Sequence, residues 1–282
     1  MSQISAAAVK ALRDCTNAPM MECKAALVEA NGDMEKAVEI IRKKLKGVSL
    51  KREGNVTAEG RIGVYIDPVK KVGGIVEVQC ESAPTAKNEL FVQLANDLAK
   101  HVALKGGGDA AALQTQPFVD DPKKTLKDRI DDVIGLIREN MRLTRGTQLT
   151  GLLGSYVHHD GATGVMVVVE GNKADANMLR DVCMHITAKN PLVIRREDVS
   201  AETVAKEMEI AKAQIAQDPK NANKPANIIE KIAEGKMKTW FAENVLLEQP
   251  FVRDDSKTVG DLLKSAGLKF VKFVRYKVGE AG

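Results

Sequence analysis

Few side chains in this 282-residue sequence are placed to do chemistry: Cys80, His101, His158, His159 and His185 are the candidates. Cys80 precedes a helical pattern, and a helix N-terminus can lower a thiol pKa and so create a nucleophile. Its alternation with Val76 and Val78 instead turns it toward a core, at the end of a strand. A thiol enzyme requires Cys80 exposed and near a base; a core residue requires it buried. His158-His159 offers two imidazoles to a metal, but neighbours on a strand face opposite ways and no third ligand is close in sequence. His101 and His185 fall inside helical patterns, as packing or surface residues. The GxxxxGK[ST], GxSxG and HExxH patterns are absent from the sequence. No catalytic chemistry, cofactor or metal is expected, so the chain reads as a non-enzyme.

Binding residues stand out more clearly. Met20-Met21 opens a helix after Asn17-Ala18-Pro19, and a small bundle has no room to bury both methionines. A flexible, polarizable pair at a helix start suits a surface that docks another protein, with Arg13 one helical face away. The competing readings are one methionine packed inward and Arg13 as a solvated charge.

Composition narrows the field further. With 44% hydrophobic and 28% charged residues the chain is an ordinary globular protein, long enough for two or three domains. The 42 basic and 38 acidic residues leave a net charge of +4, too balanced to imply a nucleic-acid partner, and 4% aromatic residues argue against base-stacking platforms. Four cysteines without CxxC or zinc spacing read as reduced thiols. No apolar run approaches a membrane span, and Met1-Ser2-Gln3-Ile4-Ser5 lacks signal-peptide character, so a cytoplasmic location is expected.

The elements that must position these residues follow from periodicity and caps. Residues 5–46 read as three short helices, with Ser5 and Asp33 as N-caps and Ala8, Val9, Leu12, Val38, Ile41 and Leu45 facing inward, a bundle of the ubiquitin-associated (UBA-like) type. The polar stretch 47–60 reads as a linker. From residue 61, alternation predicts a hairpin ending at Cys80, a helix over 86–105 with Leu90, Leu94, Leu98 and Val102 in register, a helix over 126–140 and a strand over 141–150. A second hairpin turns at His158-His159-Asp160-Gly161, followed by a helix over 174–189 and a short strand after Pro191. Val204, Met208, Ala211 and Ile215 keep the 4-3-4 spacing of a coiled-coil seam; a turn at 218–225 returns the chain through a helix over 228–240. That seam can be satisfied internally or by a second copy of the chain, so a homodimer is open. A helix over 258–266 and a strand over 268–276 complete an α+β protein. It comprises a three-helix bundle (1–46), a linker (47–60), core subdomain N (61–150), core subdomain C (151–198 and 248–282) and an inserted antiparallel coiled-coil hairpin (199–247). Antiparallel sheets are expected in both core subdomains.

Read together, several of these runs resemble the elongation factor Ts family. Residues 12–27, with Asn31-Gly32-Asp33 beyond, resemble its opening signature; Val76-Glu77-Val78-Gln79-Cys80-Glu81 resembles the strand before its exchange loop. Gly154-Ser155-Tyr156-Val157-His158, Glu234-Gly235-Lys236-Met237, Leu246-Leu247-Glu248-Gln249-Pro250-Phe251-Val252 and Phe273-Val274-Arg275-Tyr276 are similar to later family segments, in order. The resemblance implies a nucleotide exchange factor that binds elongation factor Tu, in its GDP-bound or nucleotide-free form, disrupts the magnesium and phosphate sites and lets GDP leave. It implies partner contacts at Arg13, Met20 and Met21, at the exchange-loop positions Ser82, Ala83, Pro84 and Thr85, at His158 and at Ile137. The sequence departs from the family at the exchange loop. Where the family has Thr-Asp-Phe-Val, this chain has Ser82-Ala83-Pro84-Thr85, which supplies neither the carboxylate nor the aromatic ring. Asn17-Ala18-Pro19 likewise replaces an often glycine-rich turn. Three outcomes are open: a co-adapted partner with efficient exchange, slower exchange through the remaining contacts, or a paralogue that holds elongation factor Tu without efficient release. Retained exchange is expected, because a broad contact surface can bias a two-state partner without one particular residue.

Overall fold

The computed structural model describes residues 4–218 and 224–280. Helices and small sheets are mixed throughout, as an α+β chain requires. Two compact units emerge: one holds the chain up to Thr150 with residues 157–164 and the end from Tyr276, the other holds residues 151–156 and 165–275.

The first unit opens with α1 (Ala6–Thr16), α2 (Met20–Glu29) and α3 (Met34–Arg52). Ser5 Oγ accepts from the Ala8 N–H at 3.1 Å and Asp33 from the Lys36 N–H at 3.2 Å, satisfying donors that each helix start leaves open. Asn17 takes φ 54° to end α1, and Leu12, Leu27, Ile41 and Leu45 fill the core between the helices. α3 continues six residues into the stretch expected to be a linker. The reason is a second partner: Leu45 and Ser49, one turn apart, face a later helix of the same unit, α7 (Leu126–Ile137). Ser49 is buried and donates to Asp131 at 2.6 Å, and Leu136 joins the bundle core. A Cβ on Gly135 would lie 2.6 Å from Leu45 Cβ, so this helix crossing depends on glycine. The bundle is docked on α7 rather than tethered beside it.

Beyond α3, β1 (Glu59–Asp67) and β2 (Val72–Cys80) form the expected hairpin, and the third strand of the sheet is β3 (Met141–Thr150), in the order β1-β2-β3. All pairings are antiparallel, with Cys80 opposite Met141. The helix expected over 86–105 begins later: α4 (Ala83–Ala86) is a single turn, and α5 (Glu89–Lys105) starts after Asn88, whose side chain accepts from the Leu90 N–H. Phe91, Leu94, Leu98 and Val102 press onto Val76 and Val78. α6 (Ala110–Gln114) was not legible in the sequence; α7 ends three residues early, where Arg138 takes φ 66°.

The second unit carries the sheet β4 (Leu152–Val157), β5 (Thr163–Glu170) and β8 (Lys269–Lys277), covered by α8 (Ala176–Lys189) and α11 (Val259–Ser265). The segment after Pro191 makes a single parallel bridge, Val193 to Val245, instead of a strand. α9 (Ala201–Gln217) and α10 (Ala226–Asn244) pack on each other, with Ala211 and Ile215 buried and Val204 and Met208 against Met237, Phe241 and Val245. Most of the expected turn between them lies outside the described residues. A small ladder, β6 (Pro250–Phe251) with β7 (Asp254–Thr258), completes the unit.

An internal repeat, not recognised from periodicity, links the two units. Gln116-Pro117-Phe118-Val119 recurs as Gln249-Pro250-Phe251-Val252. In each, a buried histidine from an earlier helix of the same unit, α5 or α8, bonds the glutamine: His101 Nε2 to Gln116 Oε1 at 3.1 Å, His185 Nε2 to Gln249 Oε1 at 2.9 Å. Each glutamine carbonyl accepts from the first residue of the next helix, Leu126 or Val259. Each of those helices opens with a Thr–Asp capping box, Thr125 with Asp128 and Thr258 with Asp261.

Candidate partner-binding site

Burial decides the chemical candidates first. Cys80 is wholly buried in the first core, and desolvation, only partly offset by a hydrogen bond to the Ser82 carbonyl, pushes its thiol up to about 12. A thiol at that pKa is protonated and unreactive at neutral pH, which removes the thiol-enzyme reading. His101 and His185 are packing residues bonded to glutamines. The rings of His158 and His159 lie 4.2 Å apart, but among the described residues no group of three metal-ligating side chains exists.

The binding candidates lie on the first unit. Met20 is 47% exposed and Met21 74%, so neither packs inward, and Arg13 is exposed on the last turn of α1. Pro19 occupies the N-cap position of α2 and, lacking a capping side chain, directs both methionines from an uncapped helix start. The turn of α4 is capped by Ser82; Ala83 and Pro84 are exposed, whereas Thr85 is buried and turns its side chain away from solvent. Of the four residues 82–85, therefore, only Ala83 and Pro84 present an open apolar surface.

One short connection reaches both places. Ile137, half-buried against the first core, is followed by Arg138, Glu139 and Asn140. Arg138 donates to Glu22 at 2.6 Å, on the turn that carries Met20 and Met21. Glu139 accepts from both the Ser82 N–H at 3.1 Å and Ser82 Oγ at 2.7 Å. The buried Asn140 gives its N–H to Glu81 and its amide to the carbonyls of Glu53 and Asn55, and Asn55 returns its own amide to Glu81. The Glu81 carboxyl is held below the usual carboxylate range, chiefly by the Asn140 N–H, then by the Asn55 amide and the charge of Arg52. Periodicity gave no warning of Glu22, Glu81, Arg138, Glu139 or Asn140. The signal that would have found them is strand register: once Cys80 pairs with Met141, Ser82 must fall beside Glu139.

None of these bonds reaches His158. It sits half-buried on the 158–161 turn, which closes by the Gly161 N–H to the His158 carbonyl at 2.8 Å. That turn, expected with the second subdomain, belongs to the first unit: the Ile62 N–H of β1 donates to the Gly161 carbonyl at 2.9 Å. The arrangement offers exposed apolar contacts on a hydrogen-bonded frame.

Comparison with known proteins agrees with that frame. The elongation factor TS family model matches residues 84–280. The elongation factor Ts of Clostridium botulinum is 39% identical over 289 residues, covering 98% of this chain and 93% of the relative. The proteins of the same name from Halothermothrix orenii, 38% identical with 98% and 93% covered, and Hahella chejuensis, 39% identical with 99% and 93% covered, match over the same extent. An identity this high along nearly the whole length places the chain in the elongation factor Ts family of translation elongation factors.

Proposed function

We propose that this chain binds elongation factor Tu and promotes release of its GDP, acting in the cytoplasm without catalytic chemistry of its own. The observation that carries the reading is the exposed Met20–Met21 pair on a helix start joined by hydrogen bonds and an ion pair to the turn bearing Ala83 and Pro84. Exchange of this kind is negative coupling: the factor weakens nucleotide binding by the same ratio as nucleotide weakens factor binding. Arg13, Met20 and Met21 would meet one domain of the partner and His158 another, with Ile137 supporting the surface between. Ala83 and Pro84 occupy the place of the family's Asp-Phe wedge, so the push on the partner's magnesium site comes from a broad apolar contact rather than an inserted carboxylate and ring. The UBA-like character of α1–α3 and a coiled-coil role for α9 and α10 belong to the same proposal.

The test is release of a fluorescent GDP analogue from the same organism's elongation factor Tu. Acceleration rising to a plateau with this protein is the expected result; release no faster at saturation would overturn it. Replacing both Met20 and Met21 with Ser is expected to weaken the half-saturating concentration about tenfold, as loss of two buried apolar anchors implies. Exposed in the free protein, they should alter stability by no more than about 0.5 kcal/mol.

A further inference from the structure

We infer that Arg138 and Glu139 are positioning residues, forming a two-armed clamp that fixes the Ala83-Pro84 turn and the Met20–Met21 helix start as one preorganised surface. The inference rests on the exchange reading above and deepens it. The two arms are consecutive in sequence and point to elements far apart in the chain: Glu139 to Ser82 through two hydrogen bonds, Arg138 to Glu22 through an ion pair. The backbone between them is held in an unusual state. Arg138 takes φ 66°, a left-handed conformation that L-residues adopt at a cost, and asparagine or glycine is the commoner choice for such a helix end. Arginine here forgoes that relief and gains its reach to Glu22. The next residue, Asn140, is buried and fully engaged, so the connection cannot swing without breaking three further hydrogen bonds.

Stability alone does not account for the Arg138 arm. Arg138 is more than half exposed, and ion pairs of that kind add little to folding. Their use is geometric. An inserted carboxylate and ring can find their pocket even from a loosely held loop, because the pocket itself orients them. Alanine and proline have no such reach, so the turn must arrive already placed, and preorganisation takes over from side-chain length. Ser82 serves twice: its hydroxyl accepts from the Thr85 N–H to cap α4 while donating to Glu139, so the helical turn and the clamp share one oxygen.

Two measurements on the full-length protein test this. In the free protein, amide hydrogen exchange at Ser82, Ala83, Thr85 and Ala86 should speed up about tenfold in Glu139→Ala, as expected for loss of hydrogen bonds to a charged acceptor, with α5 unchanged. With elongation factor Tu, the same variant should lower the plateau rate of GDP release about tenfold while shifting the half-saturating concentration less than twofold. Glu139→Gln, which keeps one acceptor oxygen, should recover part of the plateau. Glu22→Arg combined with Arg138→Glu should release faster than either single variant. Unchanged hydrogen exchange at Ser82, Ala83, Thr85 and Ala86 in Glu139→Ala would overturn the clamp whatever the partner does. So would a variant whose half-saturating concentration rises while its plateau holds. If the wild-type protein itself failed to accelerate release, the exchange reading would fall, and the hydrogen-exchange result would still decide the clamp.

Discussion

The two Gln-Pro-Phe-Val segments were put to different uses. Both lock a buried histidine to a glutamine, both bury a phenylalanine, and both launch a helix from a Thr–Asp box. In the second unit the launched helix, α11, is seven residues long and gives way to β8 after a turn at Gly267, so the segment serves the sheet alone. In the first, α7 runs for twelve residues, receives α3 along its length and ends in the residues that reach Glu22 and Ser82. The anchor is the same in both, and the longer helix of the first unit carries the residues that bridge two of its helix starts. The histidines differ too. His185 Nδ1 accepts from the Val252 N–H at 3.2 Å, whereas His101 Nδ1 has no hydrogen-bond partner among the described residues.

The comparison can be broken most forcefully at the phenylalanines. Phe118→Ala and Phe251→Ala should each cost about 3–5 kcal/mol, the range for a buried aromatic truncated in a core. Chemical denaturation followed by unit-specific probes should show the loss in the unit that carries each change; equal loss in both units from one variant would end the view of two separate anchors. A smaller effect, about 1–3 kcal/mol, is expected for Gly135→Ala, whose added methyl meets Leu45. It should loosen α1–α3 and leave the second unit's unfolding midpoint in place. The smallest effect is the acid response. Burial depresses both imidazole pKa values, opposed in each case by the glutamine hydrogen bond. The folded state therefore disfavours the proton, so the stability each histidine contributes is complete above the unfolded value near 6.5 and is lost as pH falls below it toward the folded value. Protonating His185 also turns the acceptor facing the Val252 N–H into a donor. The second unit should accordingly lose more stability between neutral pH and pH 5, and equal losses in denaturation midpoints would show that this extra bond carries no weight.

Much of the fold was legible because its signals are local. Ser5 and Asp33 lie where helix starts need an acceptor, alternation marked Val76 to Cys80, and the 4-3-4 spacing marked the face of α9 that buries Ala211 and Ile215. What escaped notice depends on partners distant in sequence. Residues 47–52 look like a linker until Asp131 is there to receive Ser49, and Thr85 looks like part of an exposed loop until it is seen buried at the root of α4. The exposed methionine pair could be read from bundle size alone. Glu139 could not, because it acquires a role only when two strands are paired in register.

The cysteines divide in a way that has a practical consequence. Cys23, Cys80 and Cys183 are buried, and desolvation drives the thiols of Cys80 and Cys183 far above neutrality; Cys15 alone of the four is exposed. It lies on the last turn of α1, two residues from Arg13. A maleimide dye added to the native, unaltered protein should therefore attach at a single point beside the proposed docking face, giving a built-in fluorescent reporter of partner association without any engineered residue.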